Sequence, residues 1–171
     1  MVKDDNLSIT GRIKEILITS GGENVEPQAI EQAFKLVCPI VSHVVLVGDG
    51  RKFVSLLLTL KVNKDRRSGV FSHTLTAEAQ NFIKTKLKLS NIRTVADVLA
   101  SKEMQKFIKN CIERANLEAV SRVSRVKKWK ILPNELDVMT GELTPTFKVK
   151  RNYICKKYED VIEAMYSEPK L

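Results

Sequence analysis

The chain has few of the residues from which metal and disulfide sites are built. Its 171 residues include three cysteines, Cys38, Cys111 and Cys155, and two histidines, His43 and His73. The cysteines lie far apart, and no Cys-x-x-Cys pair or Cys/His cluster occurs. The pattern therefore predicts no metal site. We interpret the cysteines as small buried apolar residues of a protein from a reducing compartment.

Long apolar runs are also missing. No segment approaches the roughly 20 residues that a membrane-spanning helix needs, and residues 1–6 lack the apolar core of a signal peptide. We therefore expect a cytoplasmic protein. Aromatic residues make up only 6% of the chain, and no strand carries the interleaved aromatic residues of a stacking surface, which argues against binding of single-stranded nucleic acid.

Positive charge, in contrast, is abundant. Lysine and arginine number 29 against 20 aspartates and glutamates, which gives a net charge of +9. Such an excess indicates an anionic partner, and nucleic acid, acidic lipid and a phosphate-rich cofactor would all suit it. One alternative is therefore a non-catalytic basic module that binds nucleic acid or an anionic membrane.

The distribution of apolar residues predicts an α+β fold with a small mixed sheet that contains a hairpin and is flanked by helices. Two apolar strands, Val41–Val47 and Phe53–Leu60, flank a Gly-Asp-Gly turn and predict the hairpin. Because both strands are almost continuously apolar, we expect helices on one face of the sheet and partial cover on the other. Residues 61–72 are polar and predict a mobile loop. Further predicted elements are a helix beginning at Pro27, a helix over 77–87, helices capped by Thr94 and Ser101, a strand over 126–132 and a helix over 154–165.

A glycine-rich turn follows the first short apolar run of the chain. Residues 16–18 are apolar, and Ser20, Gly21 and Gly22 then provide backbone donors with little side-chain bulk. A thin substituent of a ligand could pass close to such a turn. The alternative is an ordinary connection between a strand and the helix that begins at Pro27.

A second segment, residues 141–151, reads Gly-Glu-Leu-Thr-Pro-Thr-Phe-Lys-Val-Lys-Arg. This setting predicts that Lys148 lies at the tip of an exposed loop before a helix. A compact cation on a flexible stem suits a reaction in which negative charge accumulates at a phosphate. The alternative is a solvated lysine beside Lys150 and Arg151, which could themselves be surface charges.

The two segments occur in this order, about 130 residues apart. Together they resemble the hinge with its glycine loop, and the lysine-bearing C-terminal motif, of the acyl-adenylate-forming enzymes. Within that superfamily the second segment and the run over 127–132 look like the bubblegum-type long-chain fatty acyl-CoA synthetases. The superfamily usually has glycine immediately before the lysine, where this chain has Phe147.

The resemblance implies roles for individual residues. Lys148 would bridge the substrate carboxylate and the α-phosphate of ATP while the acyl-adenylate forms. Arg12 would contact the nucleotide, unless it makes a structural ion pair with a residue such as Glu15. Lys14 would be the hinge, unless it is an ordinary exposed turn residue.

The resemblance also implies a second ligand surface. Ser20, Gly21 and Gly22 would line the channel for the pantetheine arm of coenzyme A after the domain has rotated. The basic run between residues 122 and 130 could hold coenzyme A phosphates or form a solvated strand face. Its members are Arg122, Arg125, Lys127, Lys128 and Lys130.

By the same resemblance, residues 1–14 form an N-terminal segment with the hinge, and residues 15–171 form the C-terminal lid domain. A large N-terminal adenylation domain, absent from this chain, would bind most of the ATP/AMP and the Mg²⁺. We therefore expect the chain alone to be inactive. Its expected partners are that domain and the substrates fatty acid, ATP and coenzyme A, without nucleic acid. Peripheral membrane association of the full-length enzyme is left open.

Overall fold

The computed structural model describes residues 15–167 of the chain. The strands and helices occur along the chain in the order β1 (Leu17–Ile18), β2 (Asn24–Val25), α1 (Pro27–Val37), β3 (Val41–Val47), β4 (Val54–Leu60), β5 (Val62–Lys64), β6 (Phe71–Leu75), α2 (Ala77–Lys86), α3 (Val95–Ala100), α4 (Lys102–Leu117), β7 (Val126–Ile131), α5 (Arg151–Lys157) and α6 (Glu159–Ser167).

A three-stranded mixed sheet forms the centre of this fold. β3 and β4 are antiparallel, with Val45 opposite Leu57, whereas β4 and β7 are parallel, with Leu56 opposite Trp129. The strand order is β3-β4-β7, so β4 is the central strand. The predicted α+β class, with a mixed sheet and a hairpin, is confirmed.

Helices cover both faces of this sheet. Leu56 and Leu58 of β4 belong to a buried cluster shared with α1 to α4, whereas Leu57 belongs to a second cluster with α5 and α6. All seven residues of β4 are buried. The predicted partial cover of one face is confirmed, because the face that α5 and α6 cover at Leu57 is open at the neighbouring Lys130 of β7, which is exposed.

Local sequence signals set several helix ends. Pro27 is the first residue of α1, where its missing N–H has no helical partner to lose. Thr94 and Asp97 form the predicted capping box of α3. The Ser101 hydroxyl accepts a hydrogen bond from the backbone N–H of Met104 (3.2 Å) and caps α4, as predicted.

The segment predicted as a loop over residues 61–72 forms most of a second hairpin. β5 and β6 pair antiparallel, with Val62 opposite Leu75 and Lys64 opposite Phe71. Asp65 closes the turn between them by accepting the backbone N–H of Arg67 (2.9 Å). These strands are short and largely exposed, so their sequence lacks the apolar alternation that would have revealed them.

No helix within residues 15–167 is both long enough and apolar enough to cross a membrane.

Candidate functional site

The segment Glu142–Lys150, here called the lysine loop, is a narrow antiparallel turn. Its base closes through a hydrogen bond from the backbone N–H of Lys150 to the carbonyl of Glu142 (2.8 Å). Nearer the tip, the N–H of Thr144 donates to the carbonyl of Lys148 (2.8 Å), and the N–H of Lys148 donates to the Thr144 hydroxyl (3.1 Å). The backbone of Lys148 is therefore fixed on both sides.

The side chain of Lys148 is exposed. Within the part of the chain that the structure describes, its ammonium has no hydrogen-bond or ion-pair partner. An unpaired cation on a fixed backbone is well suited to an anionic group supplied from outside the domain.

Phe147, next to this lysine, has an unusual backbone conformation. Its φ is +61°, in the left-handed region that costs most residues roughly 1–2 kcal/mol and costs glycine almost nothing. Its side chain is 71% exposed, so packing of the ring offsets little of this conformational cost. Glycine would adopt the conformation of this position at lower cost than phenylalanine does.

The base of the lysine loop is attached to the domain by a buried carboxylate. Glu142 is 1% exposed, and its Oε1 accepts hydrogen bonds from Lys157 Nζ (2.7 Å) and the Tyr158 hydroxyl (2.7 Å). Its Oε2 accepts the N–H of Asp137 (3.1 Å) and the hydroxyl of Thr140. Sequence reasoning missed this role, although Glu142 lies within the second motif.

These contacts also set the ionisation of Glu142. Burial alone would raise its pKa, but the hydrogen bonds from Lys157, Thr140 and Tyr158 outweigh burial and lower the pKa below the usual value for glutamate. Burial, together with the hydrogen bond to the Glu142 carboxylate, raises the pKa of Tyr158. Glu142 is therefore an anion at neutral pH.

Arg151 is part of the scaffold of the lysine loop. Its Nη1 donates to Glu31 Oε1 (2.6 Å) and to the carbonyl of Leu46 (2.7 Å), and both charged side chains are only 14% exposed. The interpretation of Arg151 as a surface charge was therefore wrong, because the start of α5 packs against α1 and β3. Lys150 is exposed, with its ammonium 5.3 Å from the centroid of the Tyr153 ring.

The glycine loop, Ser20–Gly22, is exposed between β1 and β2. Gly22 has a φ of +78°, and a Cβ built on it would meet no atom within 4 Å. A Cβ at Gly21 would lie 3.9 Å from Thr19 Oγ1, which is an ordinary contact. The surface of this loop is thus open backbone.

The turn between β3 and β4 supports the glycine loop. Asp49 Oδ1 accepts the backbone N–H of Ile18 (2.9 Å), the N–H of Gly50 donates to the carbonyl of Ile18 (2.7 Å), and the N–H of Ser20 donates to the carbonyl of Arg51 (2.9 Å). The two loops are therefore both anchored, but to different parts of the domain.

The structure places the two loops at opposite ends of the β3–β4 hairpin. The glycine loop contacts the turn that follows β3, whereas Phe147 lines a cleft of about 280 Å³ together with Ser42, His43 and Lys61, at the other end. β3 has seven residues, so the two ends are about 20 Å apart. Of the predicted site residues within 15–167, Lys148 and the glycine loop thus lie in two separate places.

The remaining predicted residues are Arg12, Lys14 and the basic run. Arg12 and Lys14 lie outside the described residues. In the basic run, Lys128 is half-buried and the other four members are exposed, which suits a phosphate-binding surface and a solvated strand equally.

His43 belongs to a buried polar network. Its Nδ1 lies 2.9 Å from Glu135 Oε1, which also accepts the hydroxyl of Thr59 (2.5 Å). Burial would raise the pKa of Glu135, but the hydrogen bonds from His43, Ser42 and Thr59 lower it. His43 therefore has a structural role, in joining β3 to the segment that follows β7. Across residues 15–167, no group of three or more His, Cys, Asp or Glu side chains could hold a metal ion.

Comparison with solved structures identifies the fold. The adenylation domain of a carboxylate reductase from Mycobacterium chelonae matches with a TM-score of 0.61 and 17% identity, over 92% of this chain and 20% of that one. The corresponding domain from Segniliparus rugosus matches with a TM-score of 0.60 and 17% identity, over 90% and 20% of the two chains. At this identity the likeness shows a shared fold.

Comparison with curated proteins gives more specific relatives. The chain is 46% identical over 164 residues to the long-chain-fatty-acid–CoA ligase ACSBG2 of Mus musculus, covering 95% of this chain and 24% of that protein. It is 40% identical over 170 residues to the long-chain-fatty-acid–CoA ligase ACSBG1 of Homo sapiens, covering 98% and 23%. The predicted resemblance to bubblegum-type synthetases is confirmed. The chain spans about a quarter of the length of these relatives.

The match to a protein family agrees with the comparisons with solved structures and with curated proteins. Residues 14–92 and 89–170 match the family described as the AMP-binding enzyme C-terminal domain. Together the two matches cover nearly the whole chain, including both loops. The chain therefore belongs to the family of AMP-binding enzyme C-terminal domains.

Proposed function

We propose that this chain is the C-terminal domain of a long-chain fatty acid–CoA ligase. The complete enzyme would convert a fatty acid and ATP to an acyl-adenylate with release of pyrophosphate. The thiol of coenzyme A would then attack the acyl carbon to give acyl-CoA and AMP. The observation that carries the proposal is the exposed ammonium of Lys148 on a fixed loop, which no side chain within residues 15–167 binds.

In the first half-reaction, Lys148 would contact the substrate carboxylate and the α-phosphate. Negative charge accumulates on the phosphate oxygens as the carboxylate attacks, and a cation placed there stabilises the transition state more than the ground state. The ammonium needs no conformational release for this, because no described side chain holds it.

In the second half-reaction, the glycine loop would line the channel for pantetheine. The open space beside Gly21 and Gly22 suits a thin chain that passes close to the backbone, although the N–H groups of Ser20 and Gly22, expected as donors, already donate to the carbonyls of Arg51 and Thr19. Because the two loops lie at opposite ends of one hairpin, the domain would have to rotate between the half-reactions to present each loop to the same reaction centre. We assign residues 1–14 to an N-terminal segment with the hinge at Lys14, residues 15–171 to the lid domain, and nucleotide contact to Arg12.

The remaining parts of the reaction belong to a separate N-terminal adenylation domain. That domain would bind the fatty acid, most of the nucleotide and Mg²⁺. We propose a cytoplasmic enzyme and leave its peripheral association with membranes open. The comparisons described above do not support the alternative of a basic nucleic-acid or membrane module.

Separate assays of the two half-reactions in the full-length protein test this proposal. Lys148→Ala should slow adenylate formation by roughly 10²–10³-fold. It should leave thioester formation from supplied acyl-adenylate nearly unchanged. Lys150→Ala removes an exposed positive charge two residues away and is the matched control, with little expected effect on either rate. Equal losses in both half-reactions of Lys148→Ala would refute the proposal.

The 171-residue chain alone offers a simpler test. Because it would lack the fatty acid site and most of the nucleotide site, it should form no acyl-CoA from fatty acid, ATP and coenzyme A. Detectable synthetase activity of the purified chain would contradict the assignment of those sites to another domain.

A further inference from the structure

Glu142 is a buried carboxylate with an unusually complete set of partners. Both of its oxygens accept two hydrogen bonds, from Lys157, Tyr158, Asp137 and Thr140. Those partners lie in the turn before the lysine loop, at the end of α5 and at the start of the connection to α6. One side chain thus joins three segments of the chain.

The backbone of the same residue is the base of the lysine loop. The carbonyl of Glu142 accepts the N–H of Lys150 (2.8 Å), and the adjacent Leu143 pairs with Val149. Val149 of this pair directly follows Lys148 in the chain. A change in the direction of Glu142 would therefore turn the whole loop, and the displacement would be largest at its tip.

We infer that Glu142 is a positioning residue for Lys148. Its carboxylate fixes the base of the lysine loop against the C-terminal helices, so that the ammonium reaches the phosphate in the required orientation. The inference rests on the proposed function of Lys148. It adds a residue that touches neither substrate nor nucleotide and acts only through the lysine.

The orientation of a catalytic group is worth a large factor in rate, since a displacement of about 1 Å can cost roughly 100-fold. Glu142→Gln keeps the shape of the side chain, but it removes the charge that binds Lys157. It also places an amide donor towards groups that now donate to the carboxylate. We expect this variant of the full-length enzyme to form adenylate roughly 10–100-fold more slowly and to form thioester from supplied acyl-adenylate at nearly the normal rate.

A double-mutant cycle distinguishes positioning from a general structural role. If Glu142 acts through Lys148, Glu142→Gln should cause no further loss of adenylation in a protein that already carries Lys148→Ala. A general structural role would instead slow both half-reactions, or would add its full effect to that of Lys148→Ala. Either of the last two results would overturn the inference.

The control is a substitution in the other buried cluster. Ile108 of α4 is fully buried on the opposite face of the sheet. Ile108→Val loosens the domain without contact to the lysine loop, and it should leave the ratio of the two half-reaction rates unchanged. Thermal unfolding of both variants shows whether they remain folded at the assay temperature.

A milder variant tests the inference if Glu142→Gln does not fold. Tyr158→Phe removes one of the hydrogen bonds to Oε1 and keeps the ion pair with Lys157. It should slow adenylation by several-fold and spare thioester formation, and an equal effect on both would overturn the inference. If Lys148→Ala itself spares adenylation, the proposed function fails. If that variant is defective while Glu142→Gln and Tyr158→Phe are not, only the role of Glu142 is refuted.

Discussion

The glycine loop and the lysine loop are both exposed turns at an end of the β3–β4 hairpin, but different contacts hold them. The glycine loop is held mainly by backbone hydrogen bonds to the turn at Gly50 and Arg51, with one contact to Asp49. The lysine loop is held by the buried carboxylate of Glu142. A loop that presents a long side chain to a ligand must be held in a fixed orientation. A loop that presents only its backbone to a ligand mainly needs small side chains.

The tips of the two loops share one requirement. Each has a residue in the left-handed region, Gly22 with a φ of +78° and Phe147 with a φ of +61°. Glycine adopts this conformation without a steric penalty and phenylalanine does not. Substitutions at the supports and at the tips can therefore be compared between the loops.

The largest effect on stability is expected at the support of the glycine loop. Gly48 begins the turn, and an added Cβ would lie 2.9 Å from Val54 Cγ1 and 3.1 Å from the carbonyl oxygen of Phe53. Gly48→Ala should therefore lower the free energy of unfolding by roughly 3 kcal/mol in urea titrations. Gly50→Ala is the control, because its Cβ would meet nothing within 4 Å. Equal effects of the two substitutions would show that crowding at Gly48 is unimportant.

Glu142, which supports the lysine loop, is expected to contribute somewhat less to the free energy of unfolding than Gly48 does. Glu142→Gln should lower the free energy of unfolding at pH 7 by about 2 kcal/mol, because it leaves buried donors without a charged acceptor. Urea unfolding of the 171-residue chain measures this loss. A loss below about 0.5 kcal/mol, as for an exposed pair, would contradict the anchoring role.

The same variant has a defined pH dependence. Because the folded pKa of Glu142 is lowered, its contribution is fully present above the unfolded value of about 4.3. That contribution is lost as the pH falls through the folded pKa. The difference in stability between the wild type and Glu142→Gln should therefore shrink below about pH 4.3. Unfolding curves at pH 7, 5, 4 and 3 test this, and a difference that stays constant would contradict it.

A substitution at the tip of the glycine loop is expected to lower the free energy of unfolding by less than either of these. Gly22→Ala meets no neighbouring atom, so only the left-handed conformation opposes it, at a cost of about 1 kcal/mol. Gly21→Ala lacks this backbone penalty and should be nearly neutral. Thermal unfolding of both variants gives the comparison, and a neutral Gly22→Ala would show that this φ is not required.

The smallest effect, of opposite sign, is expected at the tip of the lysine loop. Phe147→Gly should raise the free energy of unfolding by about 0.5 kcal/mol, because relief of the left-handed strain exceeds the loss of a largely exposed ring and the entropy cost of glycine. Phe147→Ala keeps the strain and should not stabilise the domain. If both variants destabilise equally, packing of the ring outweighs the backbone strain.

Local features of this fold were predictable from the sequence, and long-range pairings were not. The capping box of Thr94 and Asp97 and the Gly-Asp-Gly turn depend on residues a few positions apart, so their pattern is visible in the chain. Arg151 and its partner Glu31 are 120 residues apart, and no local pattern links them.

The same limit applies to the candidate site. The motif around Lys148 pointed to an exposed lysine, but the partners that Glu142 finds in Lys157 and Tyr158 depend on how α5 folds back against the loop. The apolar run of β4 showed that this strand is buried, but not that α5 and α6 cover its second face. Packing between distant segments determines both the partners of Glu142 and the cover of β4.

The central claim is that the two loops reach the reaction centre at different times. Cysteine labelling of the full-length protein, with Ser20→Cys and Lys148→Cys followed by mass spectrometry, tests it directly. A non-hydrolysable ATP analogue with fatty acid should protect position 148 and leave position 20 reactive. An acyl-adenylate analogue with coenzyme A should reverse the pattern. Protection of both positions in the same liganded state would contradict the account.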